Sequence, residues 1–234
     1  MKTNIQDKNK LVNSVFSRVY KKYDLMNDIM SLGIHRVWKE KFIDWMNPQP
    51  NTKLIDVASG TGDIAKLYLD KLSNTGKVTC VEPNSEMMKQ GQIKLKNLDN
   101  IYWVNSSAEK IPTKNDVFDY YSISFGIRNV TDINLTLKEA YRVLKTGGHF
   151  MCLEFSKIDN EMIKFIYKQY SKAIPLIGEV IVGSAEPYEY LTESIDKFYS
   201  QEELKKILQK QGFEKVEYRN LTNGIAAIHS GWKI

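Results

Sequence analysis

Cysteine is scarce in this chain: Cys80 and Cys152 are the only two among 234 residues. Two thiols exclude a disulfide scaffold. Each sits inside an apolar, strand-like run, where a thiol reads as a small buried hydrophobe of a reducing compartment. Three histidines and these two cysteines form no ligand cluster, so no metal is expected. Long apolar runs are missing too, and none approaches the ~20 residues of a membrane span. The opening residues, Met1-Lys2-Thr3-Asn4-Ile5-Gln6-Asp7-Lys8, are polar and lack the apolar centre of a secretory signal. The chain has neither an internal repeat nor a low-complexity tract. Its net charge of +5 is mild, attracting anionic lipid as readily as RNA and selecting neither. What is present is an ordinary globular composition, 42% hydrophobic and 26% charged. The length suits one α/β domain with extra helices and a substantial core.

The stretch Lys53-Leu54-Ile55-Asp56-Val57-Ala58-Ser59-Gly60-Thr61-Gly62-Asp63 organises the rest. An apolar run of strand length turns through Ser59 to Gly62 and enters a helical pattern at Ile64, Ala65, Leu67, Tyr68 and Leu69. Strand, glycine turn and helix describe the first βα turn of a nucleotide-binding α/β domain. Glycine lets the backbone turn sharply and a ligand approach with no Cβ in the way. A lone Gly-x-Gly also occurs in purely structural turns. The next strand, Lys77 to Val81, adds weight because it ends in Glu82, twenty residues past Gly62. That is the spacing of an acid that accepts hydrogen bonds from both ribose hydroxyls.

Further along, Ser85 caps a helix, Ile101 to Val104 is a third strand, and Asn105-Ser106-Ser107-Ala108-Glu109 is a polar loop suited to an adenine. Val117 to Phe125 reads as the central strand, with Gly126-Ile127-Arg128-Asn129-Val130 at its exit. Thr131-Asp132 caps the next helix, and Gly147-Gly148 turns into a fifth strand, His149 to Phe155. This alternation argues a parallel sheet covered on both faces. Two final strands around Thr222-Asn223-Gly224 form an antiparallel hairpin. Outside the repeat lie a Met- and Trp-rich helical lead-in, residues 1–48, and a helical insertion on the substrate side, about 158–199. The lead-in serves either as a cap on the core or as an apolar lid for a lipid-like substrate.

Asp-x-x-x-Gly-x-Gly resembles the first motif of class I S-adenosylmethionine (SAM)-dependent methyltransferases, not the Gly-x-Gly-x-x-Gly of dinucleotide binders. Several longer stretches resemble the UbiE-type C-methyltransferases of ubiquinone and menaquinone biosynthesis. They include Tyr23 to Asp28, Ser31 to Lys39, Ser124-Phe125-Gly126-Ile127-Arg128-Asn129-Val130, Leu153 to Lys157, Tyr190 to Ile195 and Ala226 to Lys233. The family usually carries a second glycine where this chain has Ser59, a small residue that a turn tolerates. The resemblance implies an α/β, Rossmann-like class I methyltransferase fold: a seven-stranded, mostly parallel sheet with a C-terminal antiparallel hairpin, in a single domain spanning 1–234. It implies SAM as cofactor, held by Ser59, Gly60, Thr61, Gly62, Glu82, Ser107, Ala108 and Ser124. Asp56 would orient the loop through backbone hydrogen bonds.

The reaction implied is methyl transfer to a ring carbon of a polyprenylated quinol, 2-polyprenyl-6-methoxy-1,4-benzoquinol and/or demethylmenaquinol. A ring carbon becomes nucleophilic when a neighbouring hydroxyl loses its proton, so a base and an oxyanion partner are wanted. Arg128 and Asn129 suit the anion. Tyr23, Asp24, His35 and Glu154 are candidate proton acceptors or relays, and Tyr23 is counted with Arg128 and Asn129 as a candidate catalytic residue. Glu154 also reads as a strand-end acid paired with Lys157, His35 with Arg36 as a cap on the first helix pair, and Arg128 as a partner of Asp132. The expected setting is the cytoplasm, with peripheral contact at the inner face of a membrane and a quinone-biosynthesis complex or a homodimer as partners. No nucleic acid is expected. The competing functions are a SAM-dependent methyltransferase of RNA or protein and a non-catalytic SAM-binding protein.

Overall fold

The computed structural model describes residues 33–158 and 186–234, together with 28, 31, 160–162, 164, 165, 167, 169 and 170. The first helical pattern, Tyr23 included, and much of the insertion lie outside the described residues.

The apolar run at the head of the glycine turn becomes β1 (Lys53–Val57), whose Leu54 to Val57 are all buried. The other strands are β2 (Lys77–Val81), β3 (Ile101–Val104), β4 (Phe118–Ser124), β5 (Leu144–Phe155), β6 (Glu214–Leu221) and β7 (Ala226–Trp232). They form one seven-stranded sheet in the order β3-β2-β1-β4-β5-β7-β6. The first five are parallel, and β7 runs antiparallel to both β5 and β6. The described helices are α1 (His35–Met46), α2 (Asp63–Lys71), α3 (Ser85–Lys94), α4 (Ile133–Val143), α5 (Glu186–Lys197) and α6 (Gln201–Lys210).

Side chains alternate across a strand, so each strand feeds two cores. Leu54, Tyr120, Met151 and Leu153 join Trp38, Phe42 and Met46 of α1, Tyr68 and Leu69 of α2, and Leu191 of α5. Ile55, Val57, Tyr121 and Ile123 join Leu137 and Val143 of α4 and Leu204 and Leu208 of α6. The same alternation puts Asp56, Ser122 and Ser124 on the face that carries α1, with Asp56 opposite Ser122 in register. Trp38 pins α1 there. Its ring meets Phe155 edge-on at 6.0 Å and its Nε1 donates to Thr222 Oγ1 at 2.9 Å.

The structure corrects several boundaries. Asn84, not Ser85, caps α3, its Oδ1 accepting from the amides of Glu86 and Met87. Asp132 alone caps α4. β5 begins at Leu144, pairs with Phe118, and is irregular before His149 takes up register with Tyr120. β4 stops at Ser124 because Phe125 adopts φ 54°, a left-handed conformation that a bulky residue holds only at a cost. The hairpin is longer than a two-residue turn. Leu221 pairs with Ala226, and Thr222, Asn223 and Gly224 all have positive φ.

Candidate active site

The strand order reverses between β1 and β4, and ligands of open α/β sheets bind beyond the carboxyl ends of the strands at such a point. Here that edge is built by the glycine turn. Gly60 and Gly62 have φ 57° and 83°, and the Gly62 amide donates back to Ser59 O at 2.9 Å. A Cβ on Gly62 would lie 2.6 Å from Leu95 Cδ1 and 3.1 Å from the Trp103 ring, and its left-handed φ strains any larger residue. Across the edge Gly126 is equally constrained, since its Cβ would fall 2.5 Å from that of Ala58. The exits of β1 and β4 touch there.

Glu82, at the exit of β2, is buried and ties the turn down. Its Oε2 accepts from the Gly60 amide at 2.8 Å and its Oε1 from the Asn84 amide at 2.9 Å. Burial pushes this carboxyl up to about 7, against the pull of those two amides. Each oxygen retains lone-pair capacity, which two ribose hydroxyls could use. Asn105 donates its Nδ2 to the carbonyls of Glu82 and Pro83, drawing the loop after β3 beside it. In that loop Ser107 is exposed and Ala108 is buried, a polar rim beside an apolar floor.

Asp56 is 1% exposed, and its Oδ1 accepts from the Ser122 hydroxyl at 2.7 Å. The expected backbone bonds are not made; the partner is the side chain opposite it in the sheet. Its Oδ2 and the Ser124 hydroxyl have no hydrogen-bond partner among the described residues. Burial pushes Asp56 up to about 7, while the nearby Lys39 pulls it down. Both orphaned groups line a narrow cleft shared with Gly60, Thr61, Asp63 and Lys39. Lys39 donates to Asp63 Oδ2 at 2.6 Å, and Lys94 reaches Asp63 Oδ1 at 2.6 Å and Thr61 Oγ1 at 3.3 Å.

On the other side of Phe125 lies the cluster around Arg128, in a short 3-10 turn, Ile127–Asn129. Arg128 Nη1 donates to Glu154 Oε1 at 2.5 Å and to Phe125 O at 2.8 Å, and both side chains of the ion pair are almost wholly buried. Burial pushes Glu154 up; the guanidinium and two backbone amides oppose it. Glu154 therefore pairs with Arg128 and not Lys157, whose Nζ goes to Asp196 O. Asp132 is occupied as a helix cap, so it is not the partner of Arg128. Asn129 Oδ1 accepts from the Tyr190 hydroxyl at 3.0 Å. Arg128, Ile127, Val130 and Tyr190, with Phe198 and Tyr199, line a cleft of about 520 Å³. His35 serves the helix pair: its Nε2 lies 2.9 Å from Asp28 Oδ1, which Arg36 also holds.

The structure thus gathers Ser59, Gly60, Thr61 and Ser124 around one cleft, with Gly62 in the same turn, Glu82 bracing that turn through the Gly60 amide, and Ser107 and Ala108 in the loop that Asn105 ties to Glu82. Arg128 lines a second cleft and donates to the carbonyl of Phe125, which lines the first, while Asn129 is tied to the second through Tyr190. Sequence reasoning missed Lys39, Asp63 and Tyr190. The i, i+4 spacing of His35 and Lys39, on the face that also carries Trp38 and Phe42, was the available signal for Lys39. An orphaned carboxylate oxygen, an orphaned hydroxyl and a glycine turn too tight for a Cβ fit a polar, nucleoside-bearing ligand such as SAM.

The ubiE/COQ5 methyltransferase family profile matches residues 2–233. The chain is 51% identical over 240 aligned residues to the Rickettsia akari protein named ubiquinone/menaquinone biosynthesis C-methyltransferase UbiE, covering all of this chain and 96% of that one. The protein of the same name from Brucella suis is 47% identical, over 97% of this chain and 87% of its own length. A solved Thermotoga maritima SAM-dependent methyltransferase, described as a possible histamine N-methyltransferase, superposes with a TM-score of 0.66 at 20% identity. That superposition spans 95% of this chain and 99% of the other, and it speaks for the fold alone.

Proposed function

The chain belongs to the ubiE/COQ5 methyltransferase family, and from that premise we propose that it carries a methyl group from SAM to a ring carbon of a polyprenylated quinol in ubiquinone and/or menaquinone biosynthesis. The observation that carries this reading is that Arg128, on the wall of one cleft, donates to the carbonyl of Phe125, a residue that lines the other cleft with its orphaned polar groups beside a glycine turn.

Bound SAM supplies an electrophilic methyl carbon, so the protein has mainly to align the acceptor and exclude water. In this reading Thr61, Glu82 and the turn of Ser59, Gly60 and Gly62 hold the ribose side. Ser107 and Ala108 hold the adenine, and Ser124 faces the reactive end. Arg128 stays protonated and is no base; its role is to stabilise the quinol oxyanion. Glu154 fixes the guanidinium at the cleft wall, as its 2.5 Å ion pair suggests. Asn129 offers a neutral amide beside it, oriented by Tyr190. Tyr23 of the lead-in is our candidate for the proton acceptor. Residues 1–234 would act as one domain, with the lead-in and the insertion flanking the acceptor side. The quinol's chain would reach the enzyme from a membrane surface, with a homodimer or a biosynthetic complex as further partners.

Supplying the demethyl benzoquinol and the demethyl naphthoquinol separately, each with methyl-labelled SAM, tests the reading. Label is expected in the ring of at least one product. Label in neither overturns it.

A further inference from the structure

The two ends of the cofactor cleft differ in kind. If the ribose sits on Glu82 after β2 and the adenine beside the loop after β3, the rest of the molecule runs the other way along the sheet edge, over β1 and β4. That remainder is an amino-acid end carrying one ammonium and one carboxylate. A buried zwitterion needs an acceptor for its positive group and a donor for its negative one, since each left unpaired is costly away from water.

Acceptors are in place over β1 and β4. Asp56 Oδ2 and Ser124 Oγ are buried, lack hydrogen-bond partners among the described residues, and belong to residues lining the same narrow cleft. The cation comes from outside the βα repeat. Lys39 lies on the inward face of α1 among Trp38, Phe42, Ile43 and Met46, with its side chain 8% exposed. A lysine in that position is unusual, because burying an ammonium is costly unless it is paired. Its one hydrogen bond among the described residues is to Asp63 Oδ2, whereas an ammonium carries three donors. Asp63 is itself shared with Lys94, so its carboxylate is divided between two ammoniums. Lys94 is more open to solvent, and its charge is correspondingly screened.

We propose that Lys39 binds the carboxylate of the cofactor's amino-acid end, while Asp56 and Ser124 take its ammonium. This rests on the SAM reading above. It assigns the lead-in helix a direct part in cofactor binding, because the cation that completes the cleft is carried by α1. The ordinary alternative is that Lys39 only clamps α1 to α2 through Asp63.

Calorimetric titration with SAM and with decarboxylated SAM, without quinol, separates the two. Decarboxylated SAM keeps the adenine, ribose, sulfonium and ammonium but has no carboxylate. In the unaltered protein it should bind roughly ten- to a hundredfold more weakly than SAM, the worth of a charged hydrogen bond. Lys39→Met should lower SAM affinity by a similar factor, leave decarboxylated SAM within about twofold, and be largely rescued by Lys39→Arg. Equal affinity of the unaltered protein for the two ligands overturns the proposal, with no variant required. So does an equal loss of both in Lys39→Met, which marks a clamp. Binding of neither ligand to the unaltered protein overturns the cofactor assignment and the methyl transfer proposed on it, a failure distinct from the other two, which leave that reading standing.

Discussion

Burial sets the protonation of the two carboxyls that frame the glycine turn. Asp56 and Glu82 are each pushed up to about 7, so near pH 6 both are largely neutral. Ribose hydroxyls and an ammonium are held best by the ionised forms, so SAM binding should draw protons off them. Affinity is therefore expected to rise as the pH climbs through about 7 and to level off above it. Calorimetry near pH 7 in two buffers of different ionisation enthalpy reads the released protons directly. A buffer-independent heat, or affinity unchanged from pH 6 to 8, contradicts the assignment. Stability is a poorer reporter. His149 and His229 are held down to about 4 by burial. Between about 4.5 and 6.5 the unfolded chain holds two protons on these rings that the native state lacks, and the native state holds two on the carboxyls that the unfolded chain lacks. The two slopes oppose one another. Glu82 was legible in the sequence because a fixed spacing from a glycine turn is a local quantity. Lys39 was only half legible: helical spacing with His35, Trp38 and Phe42 marks its inward face, but its meeting with Asp63 across twenty-four residues is encoded by no local pattern. Asp56 was seen as buried but given the wrong partner, since the register of β1 against β4 decides that Ser122 faces it.

At the level of elements, the exit of β4 is held by an ion pair that joins it to the end of β5. Arg128 and Glu154 are 3% and 2% exposed, and the guanidinium also lies 5.5 Å from the centre of the Phe155 ring. Removing one partner strands the other charge, at a cost of about 3–5 kcal/mol. Glu154→Ala should accordingly lower stability steeply in a denaturant titration. Combining it with Arg128→Met should recover much of that loss while methyl transfer stays low. A double variant as unstable as Glu154→Ala alone would show that the pair is not the source of the cost. Full activity in the stable double variant would remove Arg128 from the chemistry. The order of elements was legible throughout, because apolar runs of strand length alternate with helical spacing from Leu54 to Phe155. Their ends were less so. The start of β5 at Leu144 lies ahead of two glycines that read as a turn, and sheet pairing with Phe118 overrides that local preference. The hairpin loop likewise follows from the Leu221–Ala226 pairing and not from its Asn-Gly step alone.

On the scale of the whole molecule, the acceptor sets a problem that the fold answers only from its surface. A polyprenyl tail stays in a bilayer, and no helix among the described residues is long and apolar enough to cross one. In the proposed reading the contact is peripheral. Apolar side chains stand exposed on two segments outside the βα repeat: Val37, 47% exposed, on α1, and Met162 and Phe165, 71% and 63% exposed, on the insertion. Each contributes at most about 1.5–3 kcal/mol on full burial, and side chains that only dip into a headgroup layer contribute less. Charge adds little. Thirty-three basic against twenty-eight acidic residues leave +5 over the whole chain, while a basic residue close to an anionic surface is worth about 1 kcal/mol. That attraction fades as the screening length falls from about 10 Å at 0.1 M salt to about 3 Å at 1 M. The protein should therefore float with anionic vesicles at low salt, be released at high salt, and float poorly with zwitterionic ones. Replacing Met162 and Phe165 by serine should weaken flotation at low salt without altering SAM binding, since neither lines the cofactor cleft. Should the unaltered chain stay in the soluble fraction at low salt, even with the demethyl quinol dissolved in the vesicles, direct contact fails. A carrier protein or a membrane-bound complex would then have to present the ring to Arg128.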